Sequence, residues 1–213
     1  MVIIVRHPLK RLMSGYFHIL RMGFFPCFEP KSGLPELIES QQFLRAREVI
    51  LEGSFPARFI REWQKKFPGR VVVIALEAGL SAEGELKKIQ KGLGLGPFPQ
   101  NLPANPGSGG IYNLNRISWL KLQNRFMYDY GPDGERIVVR VMKPWEKYLC
   151  KLIRRLDQKI VSRLCPNQDY TKQFLDSPLR DRLIEELEAL GQILNGMPKQ
   201  WEKDNRLLKG ELK

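Results

Sequence analysis

Three residues near the start of the chain have the types and the spacing that suit a bound anion. Arg6 directly follows a short apolar run, residues 2–5, which is typical of a strand buried in a parallel sheet. Pro8 stands where a helix accepts proline, at its first position, and Ser14 follows two turns later. A guanidinium, free helix N–H groups and a hydroxyl together can hold a phosphate at a strand end. The alternative is that Arg6 only ties the strand end to a neighbouring carboxylate.

The order of the predicted elements around these residues favours an α/β fold. A second apolar, β-branched run covers residues 71–76, and helical patterns lie before and after it. Strand, helices, strand and helix in this order predict a parallel sheet with flanking helices and right-handed crossovers. A third strand is predicted over residues 137–142, and residues 23–35, rich in Gly and Pro, are predicted as a loop before one helix over about 35–50.

The second half of the chain is predicted to be mainly helical. Apolar residues follow helical spacing from Pro144 to Leu164, and another helix is predicted to start at Ser177-Pro178. We therefore expect an α/β core over residues 1–110 and a helical part over 111–213, packed on the same domain.

The residues at the strand end resemble a known signature. Arg6-x-Pro8-x-x-Arg11-x-x-Ser14-x-Tyr16 after an apolar strand is similar to the 3′-phosphate-binding motif of the sulfotransferases. Two further stretches resemble that family in the same order. They are Gly53-x-Phe55 with Trp63 and Phe67-Pro68, and the segment from Val71 to Leu95 that holds Glu77, Leu86, Ile89 and Gly92-Leu93-Gly94.

The resemblance implies a P-loop-like fold and a reaction. A sulfotransferase moves a sulfuryl group from 3′-phosphoadenosine 5′-phosphosulfate (PAPS) to a hydroxyl or amine, and the stretch resembles carbohydrate-type members at least as well as others. Arg6 and Ser14 would hold the 3′-phosphate of PAPS, and Glu77 would be structural. Arg11 and Tyr16 would support the helix, although Arg11 could touch the nucleotide. The resemblance assigns no catalytic residue here.

One motif of the family has no counterpart ahead of residue 2. Family members carry a P-K-S-G-T-T-like loop before the R-x-P strand, and this loop holds the 5′-phosphosulfate. Pro30-Lys31-Ser32-Gly33 has similar letters, but it follows no predicted strand, so we interpret it as a coincidence. The chain is therefore expected to be a truncated sulfotransferase whose activity alone is in doubt, because that loop supplies most of the electrostatic stabilisation.

The charge of the chain leaves a second interpretation open. Lys and Arg total 35 against 23 Asp and Glu, a net charge of +12 that favours an anionic ligand or surface. The alternative function is thus a non-catalytic phosphate- or polyanion-binding module. Nucleic acid is not the expected partner, because Trp145 and Tyr148 lie on the apolar face of their predicted helix and are expected in the core. The same helix could instead contact a membrane surface, or the helical half could serve as an acceptor platform or dimer face.

Other residue types exclude several kinds of site. With three cysteines and two histidines a zinc site is not expected, and no metal is assigned. His7 and His18 are each expected to be structural rather than general bases. No run of 18 apolar residues occurs in the sequence, so no transmembrane segment is predicted in this chain. The compartment stays open: cytoplasmic as written, or the Golgi lumen if an N-terminal anchor precedes the sequence.

Overall fold

The computed structural model describes residues 1–78, 83–96, 110–130 and 137–211. These residues form a mainly helical protein with a small two-stranded parallel sheet and a separate two-stranded antiparallel sheet. The elements in chain order are β1 (Val2–Val5), α1 (Pro8–Met22), α2 (Pro30–Glu39), α3 (Leu44–Ser54), α4 (Ala57–Lys66), β2 (Val72–Ala75), α5 (Glu83–Leu93), α6 (Leu114–Met127), β3 (Tyr128–Tyr130), β4 (Ile137–Val139), α7 (Pro144–Leu156), α8 (Ser162–Leu164), α9 (Thr171–Leu175), α10 (Arg180–Ile193) and α11 (Glu202–Lys209).

The two predicted apolar strands form and pair in parallel, as expected. Val2 of β1 lies opposite Val72 of β2, and the register runs to Val5 opposite Ala75. Burial on both faces, which the sequence predicts for β1, is wrong at Ile4, whose side chain is half exposed. In the described residues the parallel sheet has these two strands.

The predicted third strand lies elsewhere. Residues 137–139 form β4, which pairs antiparallel with β3, so that Tyr128 lies opposite Val139. The strand therefore does not extend the parallel sheet, because it belongs to a separate hairpin-like pair.

The helix α2 replaces the second part of the predicted loop over residues 23–35. Pro30 occupies the first turn of α2, where its missing N–H is not needed, and Gly33, Leu34 and Leu37 are buried. The loop prediction is thus wrong from Pro30 onward, because burial of an apolar face outweighs the usual meaning of Gly and Pro. The single helix expected over about 35–50 is two helices, α2 and α3.

One long helix of the second half agrees with its prediction. Helical structure is continuous from Pro144 to Leu164: α7 passes through a π-helical segment, Asp157–Val161, into α8. The next predicted helix, α10, begins at Arg180, slightly after Ser177-Pro178. The sequence also predicts that Ser81 caps the helix that contains Leu86 and Ile89, and that residues 94–110, rich in Gly and Pro, are irregular. Ser81 and most of the stretch 94–110 lie outside the described residues.

The chain divides into two compact units, each assembled from separated stretches. Unit 1 comprises Met1–Leu12, Gly53–Ser108 and Leu179–Lys213, and unit 2 comprises Met13–Glu52 and Gly109–Pro178. In unit 1, β2 packs against α5, and α10 packs against α4 and α11, with Leu183, Leu187 and Trp201 fully buried. The core of unit 2 is aromatic: Tyr16 contacts Phe25 and Phe174 edge to face.

No helix in the part of the chain that the structure describes combines the length and apolar character needed to cross a bilayer.

Candidate functional site

Arg6 and Glu77 meet at the carboxyl end of the parallel strands in unit 1. Arg6 directly follows β1, and Glu77 is the second residue after β2. Parallel pairing brings the ends of these two strands to the same edge of the sheet. The Nε–H of Arg6 donates to Oε1 of Glu77 at 3.1 Å, and the Arg6 side chain is about one-third exposed. Arg6 therefore makes the contact with a neighbouring carboxylate that was the alternative to an anion site.

Glu77 is the centre of the hydrogen bonding at this edge. Its second oxygen, Oε2, accepts the indole N–H of Trp201 at 2.9 Å and the backbone N–H of His7 at 3.4 Å. The carboxylate thereby joins the ends of both strands to the C-terminal segment. This is a structural role, the one that the resemblance implied for Glu77.

The contact with Glu77 uses only one nitrogen of Arg6. Within the described residues, the two terminal nitrogens of its guanidinium have no hydrogen-bond partner. These two groups form a planar fork that matches two oxygens of a phosphate. The geometry thus combines a fixed guanidinium with unoccupied donors.

His7 has no capacity for general-base chemistry in this arrangement. Its ring is fully buried against the edge of Trp201, and burial lowers its pKa, so the imidazole is neutral. Nδ1 accepts the N–H of Leu9 at 3.2 Å, which leaves Nε2 to donate to Oδ1 of Asn205 at 2.9 Å. Both ring nitrogens are engaged, and His7 is a structural residue.

The first turn of α1 is also held by internal partners. Lys10 Nζ forms an ion pair with Asp204 of α11 at 2.6 Å, and the Arg11 Nε–H donates to the carbonyl of Gly53 at 3.1 Å. With the N–H of Leu9 taken by His7, part of the donor capacity at this helix end is used. Arg11 supports the helix, as the resemblance implied.

Ser14 and Tyr16 lie further along α1 in different surroundings. Ser14 is half-buried, about 9 Å along the axis from Pro8, and its hydroxyl has no hydrogen bond within the described residues. Tyr16 is fully buried, and its hydroxyl donates to the carbonyl of Phe28 at 2.9 Å. Burial raises the pKa of Tyr16, so this residue stays a neutral packing element. His18 is exposed on the same helix.

The segment Pro30-Lys31-Ser32-Gly33, whose sequence is similar to the phosphosulfate-binding loop of the family, forms the first turn of α2. The preceding residues connect α1 to α2, not a strand to a helix, and the Ser32 hydroxyl donates to the carbonyl of Glu29 at 3.2 Å. A Cβ at Gly33 would collide with the hydroxyl of Tyr16, so glycine is needed there for packing. This segment supports the core of unit 2.

Unit 2 contains a cavity and a buried ion pair that the sequence analysis did not identify. The cavity has a volume of about 410 Å³, and Lys121 and Arg125 lie in its wall beside Cys27. Arg116 binds Asp157 through two bonds of 2.8 Å, and this pairing raises the pKa of Arg116. Among the described residues, no group of His, Cys, Asp and Glu is arranged to hold a metal ion.

The C-terminal segment was missing from the sequence analysis, although it closes the site. Trp201 is completely buried, and Asp204 and Asn205 bind Lys10 and His7. The isolated Trp201 ahead of Leu207 and Leu208 was a signal for this segment, but its partners lie far away in the sequence: Glu77 is 124 positions from Trp201, and His7 is 198 positions from Asn205. A similar signal marks α6, where Asn113 caps the helix by accepting the N–H of Arg116 at 3.1 Å.

Comparison of this chain with models of protein families, with curated proteins and with solved structures finds no match.

Proposed function

We propose that this protein is a sulfotransferase-like protein that binds PAPS through the edge where β1 and β2 end. The observation that carries the proposal is the position of Arg6, which follows β1 directly and has two guanidinium donors without a partner among the described residues. The fork of Arg6 receives two oxygens of the 3′-phosphate. Ser14, the other residue that the resemblance implies for this phosphate, belongs to unit 2.

Glu77 has a positioning role in this proposal. It holds Nε of Arg6 at 3.1 Å and so restricts the position of the guanidinium. A guanidinium fixed in this way loses less side-chain entropy when it binds a phosphate than a free one would. The Trp201 bond to Glu77 stabilises this arrangement in turn.

The reaction is transfer of the sulfuryl group to a hydroxyl or amine, with a carbohydrate as the proposed acceptor. The bond from sulfur to the bridging oxygen of PAPS breaks, a bond from sulfur to the acceptor oxygen or nitrogen forms, and the acceptor proton passes to solvent. The adenosine 3′,5′-bisphosphate product keeps the 3′-phosphate and thus the contact with Arg6. Because this contact exists before and after transfer, Arg6 is a binding residue and not a catalytic one.

Nucleotide preference tests the binding step. Calorimetric titration of the protein with adenosine 3′,5′-bisphosphate and with 5′-AMP compares two ligands that differ by the 3′-phosphate. We expect tighter binding of the bisphosphate by about 10- to 100-fold, the value of a two-point charged hydrogen bond. Arg6→Ala abolishes this preference, and Arg6→Lys keeps only part of it, because ammonium is not a fork.

Arg58→Ala is the matched control. It removes the same charge from an exposed residue of unit 1 whose partner is Glu62. We expect its nucleotide preference to equal that of the unchanged protein. Equal affinity for the two nucleotides in the unchanged protein would refute the proposal.

A binding module without transfer is the second candidate. It is favoured by the state of His7, whose two ring nitrogens are both taken by hydrogen bonds, so that this histidine does not serve as the base for transfer. Under this alternative the bisphosphate preference and its loss in Arg6→Ala persist, while PAPS is never consumed in the presence of hydroxyl or amine acceptors. If adenosine 3′,5′-bisphosphate is released from PAPS only when an acceptor is present, the protein is a transferase and not a binding module.

A further inference from the structure

The helix from Pro144 to Leu164 buries Ile153 but exposes several other apolar side chains that its sequence pattern would place in a core. Tyr148 is 68% exposed and Leu164 is 76% exposed. The exposed apolar side chains of this helix, called here the apolar strip, are Trp145, Tyr148, Leu152, Ile160 and Leu164. The prediction that Trp145 and Tyr148 pack in the core is therefore wrong.

The side of this helix that is buried carries its carboxylates. Glu146 accepts the backbone N–H of Lys143 at 2.6 Å and pairs with Arg140 at 3.3 Å. Asp157 is buried in its two-point pair with Arg116. Removing either carboxylate from its partner would cost several kcal/mol, so the helix is fixed with the apolar strip outward.

The charge that remains exposed along this segment is of one sign. Residues 137–164 contain eight Lys and Arg residues and only two acidic residues. The two acidic residues, Glu146 and Asp157, are both buried. The exposed basic residues are Lys143, Lys147, Lys151, Arg154, Arg155, Lys159 and Arg163, and none has an ion pair within the described residues. The surface is thus apolar and cationic together.

Two apolar residues that precede the helix in the chain are exposed as well. Val139, at the end of β4, and Val141 are exposed, the second by 93%. The helical part spans 21 residues, or about 30 Å, so the whole feature is long and narrow. This is the size and chemistry of a helix that lies in the plane of a membrane interface, with Trp and Tyr at the headgroup level and Lys and Arg toward anionic headgroups.

We propose that the helix Pro144–Leu164, with Val139 and Val141, docks this protein on the surface of a bilayer that contains anionic lipids. The aliphatic members of the apolar strip favour lipid over nucleic acid. RNA uses aromatic rings for stacking and cations for phosphates, which leaves Leu152, Ile160 and Leu164 without a role. The docking does not depend on the proposed sulfotransferase function.

Cosedimentation of the full chain with phospholipid vesicles tests the docking. We expect binding to vesicles of phosphatidylcholine with phosphatidylserine, and weak binding to phosphatidylcholine alone. Lys151→Glu with Lys159→Glu weakens binding to the anionic vesicles by about 30-fold or more, since each basic residue near the surface contributes to the attraction. Lys199→Glu with Lys203→Glu, an equal change in net charge in unit 1, leaves binding unchanged.

The apolar strip is tested separately with uncharged variants. Tyr148→Ser with Leu164→Ser lowers vesicle affinity at least about 10-fold, because two side chains no longer enter the interface. The matched control, Phe59→Ser with Leu93→Ser, changes exposed apolar residues of unit 1 and keeps full binding. Circular dichroism verifies that each variant is folded, which the exposure of these side chains favours.

Four results would overturn the docking. Equal binding to neutral and anionic vesicles removes its electrostatic basis, and equal losses in the control variants remove its location. Salt-dependent RNA binding without vesicle binding assigns the surface to nucleic acid. Dimerisation that the Tyr148→Ser and Leu164→Ser changes abolish, again without vesicle binding, assigns the surface to a second copy of the chain.

Discussion

Replacement of Glu77 tests whether a single carboxylate holds the end of the parallel strands together. In Glu77→Ala the indole N–H of Trp201, which is fully buried, loses its acceptor. A buried donor without a partner costs about 1–3 kcal/mol. Loss of the bond from the partly exposed Arg6 adds about 1 kcal/mol, so we expect unit 1 to lose about 2–4 kcal/mol of stability.

Glu77→Gln separates the two contributions. The Gln side-chain carbonyl can still accept the N–H of Trp201, but the amide NH2 that replaces Oε1 cannot accept from Arg6, so that the bond of Arg6 is lost. We expect this variant to cost about 1 kcal/mol, clearly less than Glu77→Ala. The contrast between the two variants depends on the acceptor at Oε2, which takes the 2.9 Å bond of Trp201 and the longer bond from the His7 backbone N–H.

Native-state hydrogen exchange of the amides of β2 is the appropriate assay. It reports the opening free energy of unit 1 without assuming that the whole chain unfolds in one step. Glu62→Ala is the control, because its ion pair with Arg58 is exposed and contributes about 0.5 kcal/mol or less. Equal losses in Glu77→Ala and Glu77→Gln, or a loss in Glu77→Ala no greater than in Glu62→Ala, would refute the reasoning.

Two further predictions concern buried groups. Burial lowers the pKa of His7 from its ordinary value of 6.5. The unfolded chain therefore binds a proton at this residue more readily than the folded chain, so the free energy of unfolding is unaffected by His7 above pH 6.5 and falls as the pH drops below it. Urea unfolding at a series of pH values should show this fall, which is at most about 1.4 kcal/mol per pH unit. The variant His7→Gln should lack it. An unchanged dependence of the unfolding free energy on pH in this variant contradicts the assignment. Arg116→Ala leaves Asp157 buried and unpaired, and hydrogen exchange of α6 should show a loss of about 3–5 kcal/mol. Arg116→Met with Asp157→Leu should recover most of this loss, and failure to recover would mean that the ion pair itself is required.

Several elements could be predicted because their signals are local. The β-branched runs over residues 2–5 and 71–76 predict two strands, and both form and pair in parallel. Helical spacing likewise predicts the long helix from Pro144, which is continuous to Leu164. The placement of Arg6 beyond β1 follows from the same patterns, because a residue that follows a strand lies at its end.

Where local signals conflict with burial, the sequence prediction is wrong. Gly and Pro over residues 23–35 indicate a loop, yet α2 begins at Pro30 because Leu34 and Leu37 bury their side chains. The exposed Trp145 and Tyr148 are the opposite case. Periodicity identifies an apolar face but cannot tell how much of it is turned inward. Here the buried side contains Ile153 together with the paired carboxylates of Glu146 and Asp157.

The sequence by itself determined the residue types at the strand end and their order, because a strand, a turn and a helix involve neighbours along the chain. Only the tertiary structure decided what those residues touch. Arg6 is held by a residue 71 positions away, and His7 by Asn205, 198 positions away. Contacts over such separations depend on how the whole chain packs, and neither composition nor periodicity contains that information.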